Sequence, residues 1–311
     1  MEDSVRTAVL GLMATQAPLT EVANTCEETL NVRPGGTLYI DLDRGAVEVN
    51  SHDADQVRID AHATGWAAWA FDFDLARSGN DVRLRGETLG WRFWPFAPRV
   101  YVRAWVPRDY SVDVQTSGGR VVLTDLKGSV VAETSGGAVK ATRITGPVDL
   151  RTSGGAVRAE RVTGNLSIET SGGRIDIAEV EGSVEAITSG GAIEIARVTS
   201  RVEARTSGGR INVEAAAGQV DVTTSGGPIF ASFTGPPAGN LETSGGAIEV
   251  RFPQRAGTAL DAETQGGHIN IEHPLTVRGE RTAHRVAGVV NDGGAPLRLR
   301  TSGGSISIRV A

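Results

Sequence analysis

A single cysteine, Cys26, stands in a chain of 311 residues. That excludes an intramolecular disulfide framework and any cysteine-based zinc cluster. Proline is scarce, at 12 residues, and no strict Gly-X-Y triplet occurs, so a collagen-like triple helix is excluded. No run of 18 apolar residues is present, so no transmembrane helix is expected. Lysine occurs only at Lys127 and Lys140, and the net charge is −6. Non-specific nucleic-acid binding needs a basic footprint, so nucleic acid is not an expected partner. The shortage of charge and the 40% hydrophobic content exclude a disordered chain.

The N-terminus supports two readings. Thr7–Leu19 (TAVLGLMATQAPL) has the short apolar stretch of an export signal, but Met1–Arg6 (MEDSVR) carries two acids and one base. A secretory signal begins with a basic segment. Residues 1–27 are therefore either a degenerate signal, with Ala23, Asn24 and Thr25 leading to a lipidated Cys26, or an N-terminal tail. The first alternative would export the chain, and the second would leave it cytoplasmic.

What is abundant is glycine, 40 residues, against an ordinary share of about 7%. Much of it falls in one repeat. Thr-Ser-Gly-Gly begins at Thr116, Thr134, Thr152, Thr170, Thr188, Thr206 and Thr224, each 18 residues after the last, and again at Thr243 and Thr301, with Thr-Gln-Gly-Gly at Thr264. The period is too short for helical-pair repeats or propeller blades. Within it, apolar residues alternate with polar ones, as in a strand with one buried face. Ile193 and Ile195 flank Glu194; Val202, Ala204 and Thr206 flank Glu203 and Arg205. A further inward residue follows at Leu126, Ile144, Val162, Val180 or Val198, and a glycine often marks a second corner (Gly128, Gly146, Gly164, Gly182). Each period thus reads strand, corner, strand, corner.

A unit this small buries its apolar face only by stacking on copies of itself. The expected fold is all-β: a parallel β-solenoid of 18-residue rungs, with the right hand favoured by the usual crossover rule and two-fold corners over the left-handed β-helix whose coils are three hexapeptides. About ten rungs in chain order, from Thr116 to Thr301, would extend roughly 50 Å at the spacing of hydrogen-bonded strands. Rungs are expected to start near Gly36, since Gly45–Val49 and Val57–Ala61 already alternate. Residues 28–311 read as one solenoid domain, with motif-bearing rungs over 112–311.

Twelve of the 15 aromatic residues lie at or before Tyr110. The segment 64–99 gathers Trp66, Trp69, Phe71, Phe73, Trp91, Phe93, Trp94 and Phe96. Phe71–Leu75 and Val82–Arg85, around a turn at Ser78-Gly79-Asn80-Asp81, form a predicted hairpin. Solenoid ends need covers, and this segment is read as the cap. Trp66, Trp69, Trp91 and Trp94 are the candidate interaction patch, because tryptophan anchors binding hot spots. The cap and the solenoid ends are also where self-association is expected.

The motif itself reads as structural. Glycine supplies positive φ at a sharp corner and lets rungs approach, serine stabilises the turn, and threonine points inward. Nucleophilic catalysis needs a unique base, an orienting acid and an oxyanion hole, and no histidine recurs with the serine. His268 and His273, near Glu263 and Glu272, are a metal-type grouping that reads better as solvated side chains. Asp72, Asp74 and Asp81 read as outward residues of the hairpin rather than paired catalytic carboxylates. No catalytic, cofactor-binding or metal residue is assigned. The expected role is a non-enzymatic structural or interaction protein with a protein or envelope-glycan partner. The alternatives are a polysaccharide-binding or polysaccharide-processing β-helix and a cytoplasmic scaffold.

Leu38–Val49 (LYIDLDRGAVEV), Val102–Gly119 (VRAWVPRDYSVDVQTSGG) and Val286–Ile308 (VAGVVNDGGAPLRLRTSGGSISI) resemble a bacterial family of adhesin-like proteins, domain of unknown function 4097. The resemblance spans residues 28–311. It implies a β-solenoid, often exported or envelope-associated, and carries no catalytic residues over to this chain.

Overall fold

Alternating side chains and a fixed period place equivalent residues of successive turns above one another, and the backbone follows. The computed structural model describes residues 23–65, 67–89, 98–272 and 277–311. Among these residues two long sheets face each other: sheet A of 14 strands and sheet B of 15. In each period the strand ending in the motif threonine lies in sheet B and the strand after Gly-Gly lies in sheet A. The pairing is parallel and in register, as in Val130↔Val148 and Thr134↔Thr152 in sheet B or Val139↔Val157 in sheet A. The space between the sheets is filled by the residues that alternation assigned inward, among them Ile175, Ile177 and Val180. Glu179, two residues beyond Ile177, stays partly exposed while Val180 is buried. The strand therefore changes phase there.

The motif corner works differently from its sequence expectation. The Thr134 hydroxyl donates to the Gly119 carbonyl of the rung below (3.0 Å) and accepts from the Gly137 N–H of its own rung (3.3 Å). Thr170 and Thr188 repeat both bonds. Threonine, not serine, is the turn stabiliser; the motif serines are solvent-exposed. Nor do the motif glycines take positive φ, which occurs instead at the opposite corner, at Gly128, Gly146, Gly164 and Gly182. A Cβ on Gly137 would lie 1.8 Å from the Gly119 carbonyl oxygen, whereas one on Gly136 would meet open space. The second glycine is there because stacked corners touch.

The stack departs from chain order at both ends. The first strands are β1 (Ala23–Asn31), β2 (Thr37–Leu42), β3 (Ala46–His52), β4 (Gln56–Thr64), β5 (Phe71–Ser78), β6 (Asp81–Thr88), β7 (Arg99–Pro107), β8 (Ser111–Thr116) and β9 (Val121–Lys127). Among the described residues there are twelve rungs. Rung 1 is β6 with β7, rung 2 is β2 with β3, and rung 3 is β8 with β9. After β1 the chain thus enters the second rung, moves out to the first, and returns past the second to the third. Rungs 3–10 then run in order to Gly239–Thr243 and Ile248–Phe252.

At the other end the mirror arrangement occurs. The last strands, Pro296–Thr301 and Ile306–Val310, form rung 11, between rung 10 and a terminal rung made of Thr258–Thr264 and Ile269–Ile271. The threonine bonds follow space rather than sequence: Thr301 donates to Gly246 (2.8 Å) and Thr264 donates to Gly304 (2.7 Å). The ten-rung stack in chain order is corrected accordingly. Charge gives a local reason. Arg300 pairs in register with Glu242 on one side and Glu263 on the other, whereas chain order would set the two glutamates side by side, an unfavourable like-charge pair.

Antiparallel strands cover both sheets at the N-terminal end and sheet B at the other, which removes a bare parallel edge at each of those places. β5 pairs with β6 as the predicted hairpin. β4 pairs with β7, and β1 pairs with β4, so Val57–Ala61 belongs to the cover and not to a rung. β1 also crosses the expected tail boundary at residue 27 as continuous strand. Arg285–Val290 and Val277–Arg281 cover sheet B at the far end.

Candidate functional site

The outer faces of the rungs carry mixed charge in which opposite signs meet. Glu194 accepts from Arg210 (2.8 Å), with Arg174 at 3.7 Å; Arg201 bridges Asp221 (2.7 Å) and Glu203 (3.8 Å). Two shallow grooves lie on these faces. One, of about 420 Å³, is lined by residues including Asp149, Ser167, Glu185 and Arg201. The other, of about 460 Å³, includes Arg174, Asp176, Glu194 and Asn212. Neither lining contains a histidine or cysteine, and nothing in them singles out a base.

The N-terminal cap is more particular. Its small satellite core packs Phe71, Phe73, Ala63, Ala68 and Val100. Above it, a short 3₁₀ turn, Ala68–Ala70, presents Trp69 outward with 66% of its surface exposed. The Leu89 N–H donates to the Ala70 carbonyl (2.6 Å), and Leu89 is itself 57% exposed. These are the two most exposed large apolar side chains among the described residues, and the bond to Ala70 holds Leu89 opposite the residue that follows Trp69. Of the expected patch, Trp69 is therefore on the surface; Trp66, Trp91 and Trp94 lie outside the described residues.

The outer face of sheet A beside this cap is polar and closely ordered. β1, β4, β7 and β3 lie side by side there, which brings together outward residues from distant parts of the sequence. Glu27 stands opposite Asp60, Asp60 opposite Arg103, and Arg103 opposite Glu48. The Tyr101 hydroxyl donates to Glu48 (2.5 Å) and accepts from Arg103 Nε (3.1 Å). Bonds from Tyr101 and then Asn50 hold the Glu48 carboxyl below the usual carboxylate range. Arg103 stacks on Tyr101 at 4.9 Å and Arg58 on Trp105 at 5.2 Å. His62 Nε2 abuts Asp60 Oδ1. On the other face of β1, burial and the nearby Glu28 push the Cys26 thiol up.

The remaining sequence candidates do not assemble a site. Asp81 accepts the Thr37 N–H (2.9 Å), while Asp72 and Asp74 are exposed on the edge strand β5. Glu263 is engaged by Arg285 (3.6 Å) and Arg300 (3.7 Å). His268 rests edge-on against His284 at 5.8 Å, and His273 lies outside the described residues. Sequence reasoning passed over Glu27, Asp60 and His62. No local motif joins them, since their proximity depends on the antiparallel pairing of β1 with β4. No described helix is long and apolar enough to cross a membrane.

One family model, Toastrack DUF4097, matches residues 37–309. No curated protein matches the chain. Among solved structures it is similar to a candidate cell adhesion protein from Clostridium sporogenes, at 10% identity over 94% of this chain and 100% of that one, TM-score 0.27. It is also similar to a candidate adhesin from Bacteroides fragilis, at 11% identity over 93% and 97%, TM-score 0.37. A candidate lipid-binding protein from Parabacteroides distasonis follows, at 13% identity over 93% and 96%, TM-score 0.35.

Proposed function

Starting from a chain that belongs to the Toastrack family, we propose that it works as a non-enzymatic, adhesin-like interaction protein of the cell envelope. The solenoid is its rigid platform and the segment 64–99 its contact cap. The observation that carries this reading is the exposed Trp69–Leu89 pair. Tryptophan offers a large rigid contact area and is enriched in binding hot spots, while the rung faces offer short side chains and ion pairs of little individual worth. Within this reading Trp66, Trp91 and Trp94 extend the same patch.

Immobilised envelope glycans and uronate polymers, together with sedimentation of the protein alone, provide the test. Saturable binding or self-association that the Trp69→Ser, Leu89→Ser double variant loses, without change in the bound polymer, supports the proposal. Polymer cleavage would sink it, as would binding that the double variant retains in full.

A further inference from the structure

Two carboxylates directly opposite each other on neighbouring strands repel, and a folded protein normally interposes a cation. Glu27 on β1 and Asp60 on β4 are such a pair. Arg103, opposite Asp60 on the far side of β4 from Glu27, feels the Asp60 charge but gives its Nε to Tyr101, and Arg58 lies over Trp105. His62 is the next outward residue of β4 after Asp60. One donor atom each from Glu27, Asp60 and His62 lies within 4.8 Å of the other two, the one such group of three among the described residues. Asp60 Oδ1 supplies a second, independent observation. It is shut off from solvent, and its one close polar neighbour is the His62 ring nitrogen, with which it makes an ion pair only when that imidazole is protonated. With Nε2 unprotonated the oxygen has no donor, which is costly, and a metal ion would then give both atoms a partner.

We propose that Glu27, Asp60 and His62 form a site for one zinc-type divalent cation, which clamps β1 to β4 at the N-terminal edge of sheet A. One imidazole and two carboxylates are ligands that zinc accepts, and three protein ligands leave a fourth position for water or a partner's donor. Calcium prefers an all-oxygen shell, so the histidine selects against it. In chain order the ligands are residues 27, 60 and 62, so the site exists only when β1 is docked. Binding therefore favours the docked strand by mass action.

The test uses full-length protein carrying Cys26→Ser, to keep the thiol out of the chemistry, freed of metal by chelation and titrated calorimetrically with zinc chloride. One equivalent should bind and raise the thermal midpoint, and the His62 ring resonances should shift. Glu27→Gln, at an exposed edge position, should weaken binding at least tenfold, and His62→Ala should abolish it. Glu160→Gln, elsewhere on sheet A, should leave it intact. Absence of stoichiometric binding would overturn the proposal. So would unchanged affinity in Glu27→Gln, an unmoved His62 signal, or calcium binding as tightly as zinc.

Discussion

Thr134 shows how one side chain can fix both the shape of a corner and its distance from the next. Its hydroxyl donates down the stack and accepts within its own turn, while its methyl stays in the core. The glycine three positions on completes the arrangement, because the backbone carbonyl beneath leaves no room for a Cβ. Gly137→Ala forces that corner away from its neighbour and should cost about 3 kcal/mol, in the range of overpacked interiors. Gly136→Ala meets open space and should change stability by no more than about 0.5 kcal/mol. Chemical denaturation of the two variants checks the pair; equal losses would mean that conformational freedom, not contact, selects glycine here. Tyr110 makes a pH-dependent prediction at the same scale. Burial and then the nearby Asp81 carboxylate push its phenol up to about 12, and its hydroxyl donates to the Asn80 carbonyl (2.5 Å). The fold holds the protonated form more firmly than the unfolded chain does. Its contribution is therefore complete below about pH 10, the free phenol value, and declines as pH climbs toward 12. Denaturation midpoints measured across that window should fall more in the wild type than in Tyr110→Phe.

At the scale of the strand, alternation carries most of the information. Ile193 is fully buried between Ile175 and Ile211 of the adjoining rungs, while Glu194 faces outward into ion pairs with Arg210 and Arg174. Ile193→Asp should cost about 3–5 kcal/mol, the penalty of an unpaired buried charge. Glu194→Ala should cost about 1 kcal/mol or less, as partly exposed pairs are weak. Similar losses in the two variants would put the strand in the wrong phase. This phase, the corners and the β5–β6 hairpin were legible in the sequence because each depends on residues a few positions apart. β4 was not: Val57, Ile59 and Ala61 alternate as a rung strand does, and alternation is blind to strand direction. β1 was hidden for another reason. Its ANTCEETLN sequence buries little, and its place is set by pairing with β4 rather than by its own pattern. The Glu27–Asp60–His62 group was invisible for the same cause.

For the whole molecule, the account rests on the order in which rungs stack. A solenoid whose last-made rung sits at its end exposes that end to fraying. Here the first rung is held between a cover and a neighbour from elsewhere in the chain on both sheets, and the last rung is so held on sheet B. Period alone could not reveal this, since Thr243, Thr264 and Thr301 share one motif-like signature and any of them fits on any other. The choice is made by cross-strand partners such as Arg300 with Glu242 and Glu263. Paired cysteines report the order directly. In a Cys26→Ser background, Glu242→Cys with Arg300→Cys places two thiols on adjacent rungs, roughly 4.8 Å apart at the backbone, within disulfide reach. Glu242→Cys with Glu263→Cys places them two rungs apart, about twice that distance and beyond reach. Mild oxidation followed by peptide mapping should find a 242–300 crosslink in the first protein and none in the second. A 242–263 crosslink, with 242–300 left reduced, would mean that the rungs stack in chain order and that this account of the molecule's ends is wrong.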